Sequence, residues 1–170
     1  TQGVSSAASD VYKRQGWHSQ TNLLEDKEFS KLFTWIAEVC NEAFLETGWD
    51  MTQATPRFNN AWAMVSRSGH GLRAHLHPNS LFSGVFYLAA PEGCGDIAFL
   101  DPRNGSQVLN FPQIPLPCSG LWGGRVVKRP KQGLLLLFPS WLWHEVEPSK
   151  SSESRVSISF NIGLQKVVRS

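Results

Sequence analysis

Apolar positions follow two different rhythms along this chain. Between Lys27 and Thr47, the residues Phe29, Leu32, Phe33, Ile36, Val39, Cys40 and Ala43 recur at steps of three and four. That spacing predicts an α-helix with one buried face. Asp26 stands where an N-cap is wanted and Gly48 supplies a stop. The helix reads as packing, not chemistry. From about Asn59 the pattern shortens to runs bounded by Gly, Pro, Asn or Ser. Strands are predicted at Trp62–Arg67, Leu72–His77, Phe82–Ala89, Asp96–Leu100, Gly133–Phe138, Leu142–Glu147 and Arg155–Ile162, with a weaker one at Arg125–Lys128. Roughly eight strands separated by turn signals predict a mainly β sandwich or barrel, such as a jelly roll. The stretch from Asp101 to Gly124 is rich in Pro, Gly and Asn and too long for a hairpin turn. Loops of that length usually form functional lids or entrance walls.

Residues 1–15, TQGVSSAASDVYKRQ, are polar, small and aperiodic. They lack the apolar segment of a signal peptide. The run Asp10 to Gln15 resembles the translation of a transposase-end sequencing adapter. Residues 1–15 therefore read either as an artefactual junction or as an ordinary disordered tail, and 16–170 as a single domain.

Composition narrows the function classes. The 170 residues are 41% hydrophobic and 18% charged, which excludes wholesale disorder. Lys and Arg number 16 against 14 Asp and Glu, a formal charge of +2. With no dense basic run, a nucleic-acid partner is not expected. No run of eighteen apolar residues is present, so no membrane-spanning helix is expected. Cys40, Cys94 and Cys118 are an odd number with no close pairing, which reads as reduced thiols in a cytoplasmic protein.

Three of the five histidines sit where a metal site would want them. His75 and His77 are two residues apart in a strand-like run, so both side chains leave one face with Cα atoms roughly 6.5–7 Å apart. Two imidazoles at that spacing can converge on one ion with bonds of about 2 Å. His144, in WLWHEV, arrives from a distant strand that a barrel can close against the first. Three ligands on one face leave open positions, as catalysis requires. An H-x-H pair alone is a weak signal, because most histidines in β proteins are ordinary hydrogen-bonded residues. The strand that follows His144 strengthens it. There Arg155, Ser157, Ser159 and Asn161 share one face, and Val156, Ile158, Phe160 and Ile162 the other. Either the polar face is solvated, or it lines a barrel interior while the aliphatic face packs on a helix or second sheet. In the second case Arg155 is suited to hold an acid ligand through paired hydrogen bonds. The hydroxyls of Ser157, Ser159 and Tyr87 would complete that grip.

The segments HLHPNSLFSGVFYL, GDIAFLDPR and GLLLLFPSWLWHEVEPSKSSESRVSISFNI together resemble the iron(II)- and 2-oxoglutarate-dependent oxygenases, most closely a bacterial and phage branch. The resemblance runs from about Gly16 to Ile162. It implies a double-stranded β-helix, a cupin-like jelly-roll barrel, with an N-terminal helix packed on one sheet. It also implies Fe(II) held by His75 and His144, to which the reading of the residues adds His77, and 2-oxoglutarate whose far carboxylate meets Arg155 and Tyr87. The implied reaction consumes dioxygen, releases succinate and carbon dioxide, and hydroxylates a substrate the sequence does not name. One departure stands out: His77 occupies a position where the family usually has a carboxylate. Asp101, or less readily Asn79, is the alternative third ligand.

The remaining candidates are weaker. His70 reads as an exposed loop residue and His18 is assigned no role. Trp141 and Trp143 are expected to pack beside His144 and exclude water, Trp62 to be core, and Arg103 to pair on the barrel rim or stay solvated. Two other functions compete: a non-catalytic cupin-like module binding a metal or small ligand, and a three-histidine dioxygenase that does not use 2-oxoglutarate.

Overall fold

The computed structural model describes residues 16–103 and 124–166. The tail expected at 1–15, Cys118 and most of the loop expected between Asp101 and Gly124 lie outside the described residues.

The chain enters through a two-residue strand, β1 (Trp17–His18), and two 3-10 turns at Leu23–Glu25 and Lys27–Phe29. The helix α1 then spans Ser30–Glu46. It begins three residues later than its periodicity predicts, because Asp26 caps the 3-10 turn instead: its carboxylate accepts from the Glu28 N–H at 3.0 Å. At the far end Gly48 takes φ +83° and donates its N–H to Leu45 O, the left-handed stop that favours glycine.

Eight further strands follow: β2 (Ala54–Ser66), β3 (Leu72–His75), β4 (Phe82–Ala89), β5 (Ile97–Leu100), β6 (Arg125–Lys128), β7 (Leu135–Pro139), β8 (His144–Val146) and β9 (Arg155–Lys166). They form a five-stranded sheet ordered β1-β2-β9-β4-β7 and a four-stranded sheet ordered β3-β8-β5-β6. Every strand pairing is antiparallel. The fold is the double-stranded β-helix, a jelly roll, with one helix on the larger sheet.

Two apolar layers hold it together. Phe33, Ile36, Cys40 and Phe44 of α1 pack on Ala61, Ile158, Phe160 and Ile162, which cover the outer face of the larger sheet. Val85, Tyr87 and Phe138 on the inner face meet Ile97 and Val146 of the smaller sheet. Strand alternation makes this division possible. On β9 the aliphatic set faces the helix, and Arg155, Ser157 and Ser159 therefore face the interior. The solvated-face alternative for this strand is overturned.

β2 starts eight residues earlier than predicted. Pro56, Asn59 and Asn60 read as turn signals, yet Ala54–Ser66 pairs with β9 throughout, with a register shift between Phe58 and Asn60. β1 reaches only Met64 and Val65, so the first half of β2 runs along the sheet's edge. Proline is tolerated there, and the bulge absorbs the paired asparagines. β3 stops at His75, leaving His77 beyond the strand. Cys40 and Cys94 are free and buried, as expected of reduced thiols. No helix among the described residues is long and apolar enough to cross a membrane.

Gly84 lies where β4 passes under Phe160, and a Cβ there would sit 2.2 Å from the ring. Gly84→Ala is expected to destabilise the domain by about 1–3 kcal/mol through overpacking. Denaturant unfolding checks this, and an unchanged midpoint contradicts the packing described.

Candidate metal centre and anion pocket

His75 and His144 are direct partners across the β3–β8 pair, with ring centroids 4.3 Å apart. The His77 ring lies 5.2 Å from each of them. The first two rings are fixed by their own backbones. His75 Nδ1 donates to Arg73 O at 2.8 Å and His144 Nδ1 donates to Leu142 O at 2.9 Å. Each bond selects the tautomer that leaves Nε2 with a free lone pair. One ligand atom from each of the three histidines lies within 4.8 Å of the other two, and Nε2 of His77 is 3.3 Å from Nε2 of His144.

This donor set fits a divalent metal such as iron(II). Two nitrogens bonded to one ion at about 2.1 Å in adjacent octahedral positions are about 3 Å apart. His144 is buried, and His75 and His77 are half-buried. Burial, with a smaller contribution from the neighbouring imidazoles, pushes His77 and His144 down to about 4. Both rings are therefore neutral near pH 7, the form a metal needs.

Arg155 points into the same interior and is only 3% exposed. Its Nη1 donates to Cys94 O at 3.1 Å and Gly95 O at 3.2 Å, and its Nη2 donates to Ser66 Oγ at 3.1 Å. All three acceptors are neutral. Among the described residues no carboxylate pairs with this guanidinium. Burial lowers its proton affinity while Tyr87 and Cys94 oppose that, but an arginine keeps its charge.

Register delivers the other hydroxyls to the same face. Ser157 pairs with Tyr87 and Met64, Ser159 with Val85 and Trp62, and Arg155 with Ser66. The Tyr87 phenol is pushed up to about 12, mainly by burial and partly offset by Arg155. It remains a neutral hydrogen-bond donor. One cavity of about 510 Å³, counted to the solvent at its mouth, is lined by the three histidines together with Arg155, Tyr87, Ser157 and Ser159. Leu72, Ile97, Phe138 and Val146 make its apolar wall.

The alternative third ligands fall elsewhere. Asp101 chelates the Arg103 side chain, with Oδ2 to Nη2 at 2.5 Å, and accepts the Arg103 N–H at 2.9 Å. It is a turn residue at the rim and is not part of the histidine group. Asn79 takes φ +62° in a turn and its carbonyl accepts from Asn59 Nδ2. His70 is half-buried instead of exposed, its Nδ1 accepting the Arg67 N–H at 3.1 Å within a tight turn. Trp141 and Trp143 are 59% and 46% exposed, so they do not pack over His144 as expected. Their places flank a short strand whose inward position belongs to His144. Trp62 is buried but lines the cavity.

Sequence reasoning missed the bed under Arg155. Ser66 lies inside the strand predicted at Trp62–Arg67 with no role assigned to it, and of Gly93-Cys94-Gly95 only the Cys94 thiol drew a reading. Only the fold reveals that Gly95 takes φ +90° and packs so closely on Glu147 that an added Cβ would sit 2.1 Å from Glu147 O. A buried network also escaped it: Ser83 Oγ donates to Asn161 Oδ1 at 2.7 Å and contacts Ser140 Oγ at 3.0 Å.

Three imidazoles that could hold a divalent metal and a buried guanidinium without a carboxylate partner among the described residues thus share one cavity of a jelly roll. The family model described as "Putative 2OG-Fe(II) oxygenase" matches residues 60–161, and the chain belongs to that family. Membership implies Fe(II) and 2-oxoglutarate, with dioxygen as the further cosubstrate. Solved structures agree on the fold. A viral collagen prolyl hydroxylase from Paramecium Bursaria Chlorella virus-1, in complex with 2-oxoglutarate, is similar with TM-score 0.58 and 18% identity over 88% of this chain and 78% of that one. The non-heme α-ketoglutarate-dependent epimerase SnoN, from nogalamycin biosynthesis, gives 0.60 and 13% over 92% and 72%. An oxidoreductase of the 2OG-Fe(II) oxygenase family from Burkholderia pseudomallei gives 0.50 and 16% over 65% of this chain. The chain spans only 46% of that protein's length. No curated protein matches the sequence.

Replacing His144 by Ala is expected to abolish stoichiometric divalent-metal binding, whereas Asp101→Asn should leave it intact. Metal content after dialysis checks both, and the reverse pattern would place a carboxylate in the ligand set.

Proposed function

We propose that this protein is an iron(II)- and 2-oxoglutarate-dependent dioxygenase that hydroxylates a substrate still to be identified. In this reading His75, His77 and His144 hold the metal, while Arg155 anchors the distal carboxylate of 2-oxoglutarate. One observation carries the proposal: a buried guanidinium with neutral partners shares a cavity with three convergent imidazoles. A buried charge is costly unless something opposite in sign meets it, and a dicarboxylate entering the cavity supplies that partner.

Each side chain then has a defined task. The backbone-locked rings of His75 and His144 present lone pairs without reorganisation. The Arg155 fork fixes one end of an extended dicarboxylate and so sets the direction of the other. Tyr87 and the two serines donate hydrogen bonds to the same end. Phe138, Ile97 and Val146 line the cavity with apolar surface and limit its water, which strengthens the ionic contact. Bound here, iron(II) supplies the dioxygen chemistry that converts 2-oxoglutarate to succinate and carbon dioxide while the substrate is oxidised. Three neutral imidazoles leave the ion at +2 instead of the +1 left by two histidines and a carboxylate. The extra charge favours dianionic 2-oxoglutarate.

Arg155→Ala separates this reading from a metal-binding module without turnover. It should weaken 2-oxoglutarate binding by roughly 100-fold or more, as expected when one member of a buried charged contact is removed. Metal affinity should stay within about twofold, since Arg155 touches none of the histidines. Arg155→Lys keeps the charge and should lose less. Calorimetry checks the affinities, and succinate release by the iron-loaded wild type checks turnover. Unchanged 2-oxoglutarate affinity in Arg155→Ala contradicts the assignment.

A further inference from the structure

His77 differs from its two neighbours in how it is held. It lies past the end of β3, where its main-chain N–H donates to Ser140 O at 3.0 Å and its Nε2 meets Nε2 of His144 at 3.3 Å. Among the described residues, no carbonyl accepts a hydrogen bond from its Nδ1. The bond that selects the tautomer and orientation of His75 and His144 is thus missing for the third ring. Aromatic contacts take its place. Trp62 lies 5.9 Å from the His77 ring at 32°, and His18 stacks on Trp62 at 5.5 Å and 18°. The series continues from His77 to His144 at 5.2 Å and 12°.

The sheet builds this column. Trp62 and Met64 project from the inner face of β2, and His18 is the register partner of Met64. His18 is therefore the diagonal neighbour of Trp62, a separation that aromatic side chains bridge. The short strand is anchored independently of the site. Ser19 N donates to Ala63 O at 3.0 Å, and Ser19 Oγ accepts from Ala63 N at 2.9 Å. His18 itself is exposed; its ring stacks on the indole while its Nδ1 donates to Ser19 O, so two contacts and not burial orient it.

We propose that His18 and Trp62 form a positioning pair for His77, an aromatic clamp replacing the hydrogen bond that orients the other two imidazoles. The inference rests on the reading of the three histidines as one metal centre. Neither residue belongs to the histidine group; both act through the His77 ring. Partners that orient a ligand from outside the coordination sphere typically govern metal affinity by about 10- to 100-fold, so the clamp should register in the metal-binding constant and in the symmetry of the site.

Cobalt(II) is the probe, titrated into metal-free protein and followed by visible absorption and calorimetry, with thermal unfolding of the metal-free forms measured alongside. Trp62→Leu should weaken cobalt binding by roughly tenfold and shift the ligand-field spectrum. His18→Ala should move both in the same direction by a smaller amount. Trp62→Phe and His18→Phe should restore most of the wild-type behaviour. His18→Ala alters only an exposed edge residue and keeps the test open if Trp62→Leu fails to fold. Wild-type affinity and spectrum in the Leu and Ala variants overturn the proposal. So does a loss that follows metal-free stability and is not rescued by phenylalanine. Failure of the wild type itself to bind cobalt overturns the metal centre beneath it, which sets the two failures apart.

Discussion

A positive charge that cannot be discharged sits inside this barrel. Arg155 is buried at the start of β9 and, among the described residues, its hydrogen bonds go to two carbonyls and a hydroxyl. A guanidinium so placed keeps its proton and gains little from neutral acceptors compared with water. The fold tolerates it by spending backbone on it. The Gly93–Gly95 turn aims two carbonyls at one nitrogen, and Gly95 reaches that position only through a positive φ and a close approach to Glu147 O. Nothing in the packing of α1 or the apolar layers requires a charge there. The proposed anion entering the cavity would supply a reason for it.

The two halves of the site come from different sheets, and strand register joins them. The smaller sheet pairs His75 with His144 and so brings residues far apart in sequence into ring contact. The larger sheet aligns Ser66, Arg155, Tyr87 and Ser157 on its inner face. A slip of one residue in β9 would turn Arg155 toward α1 and bring Ile158 into the cavity. The packing of Ile158, Phe160 and Ile162 against Phe33, Ile36, Cys40 and Phe44 resists that slip. The apolar face that carries no chemistry thus holds the polar face in place.

Much of this was legible in the amino-acid order, and the failures have physical reasons. Seven-residue alternation on β9 and the H-x-H pair were readable because strand geometry alone dictates which side chains share a face. The helix was readable because its face is wide and uninterrupted. β2 was cut short in prediction because Pro56, Asn59 and Asn60 break the local pattern, while tertiary pairing with β9 overrides it. His18 and Ser66 carried no signal, since each matters only through a neighbour supplied by another strand. Trp141 and Trp143 misled for the opposite reason: size and position suggested packing, but their alternation with a buried His144 turns them to solvent.

The most direct test of a guanidinium waiting for a distal carboxylate compares two 2-oxo acids on metal-loaded protein without oxygen. 2-Oxoglutarate carries that carboxylate and 2-oxobutyrate lacks it. Calorimetric titration should show 2-oxoglutarate binding far more tightly, by roughly 100-fold if the buried ionic contact forms. Equal affinity for the two acids, or no binding of either, would contradict the role given to Arg155 and with it the proposed function.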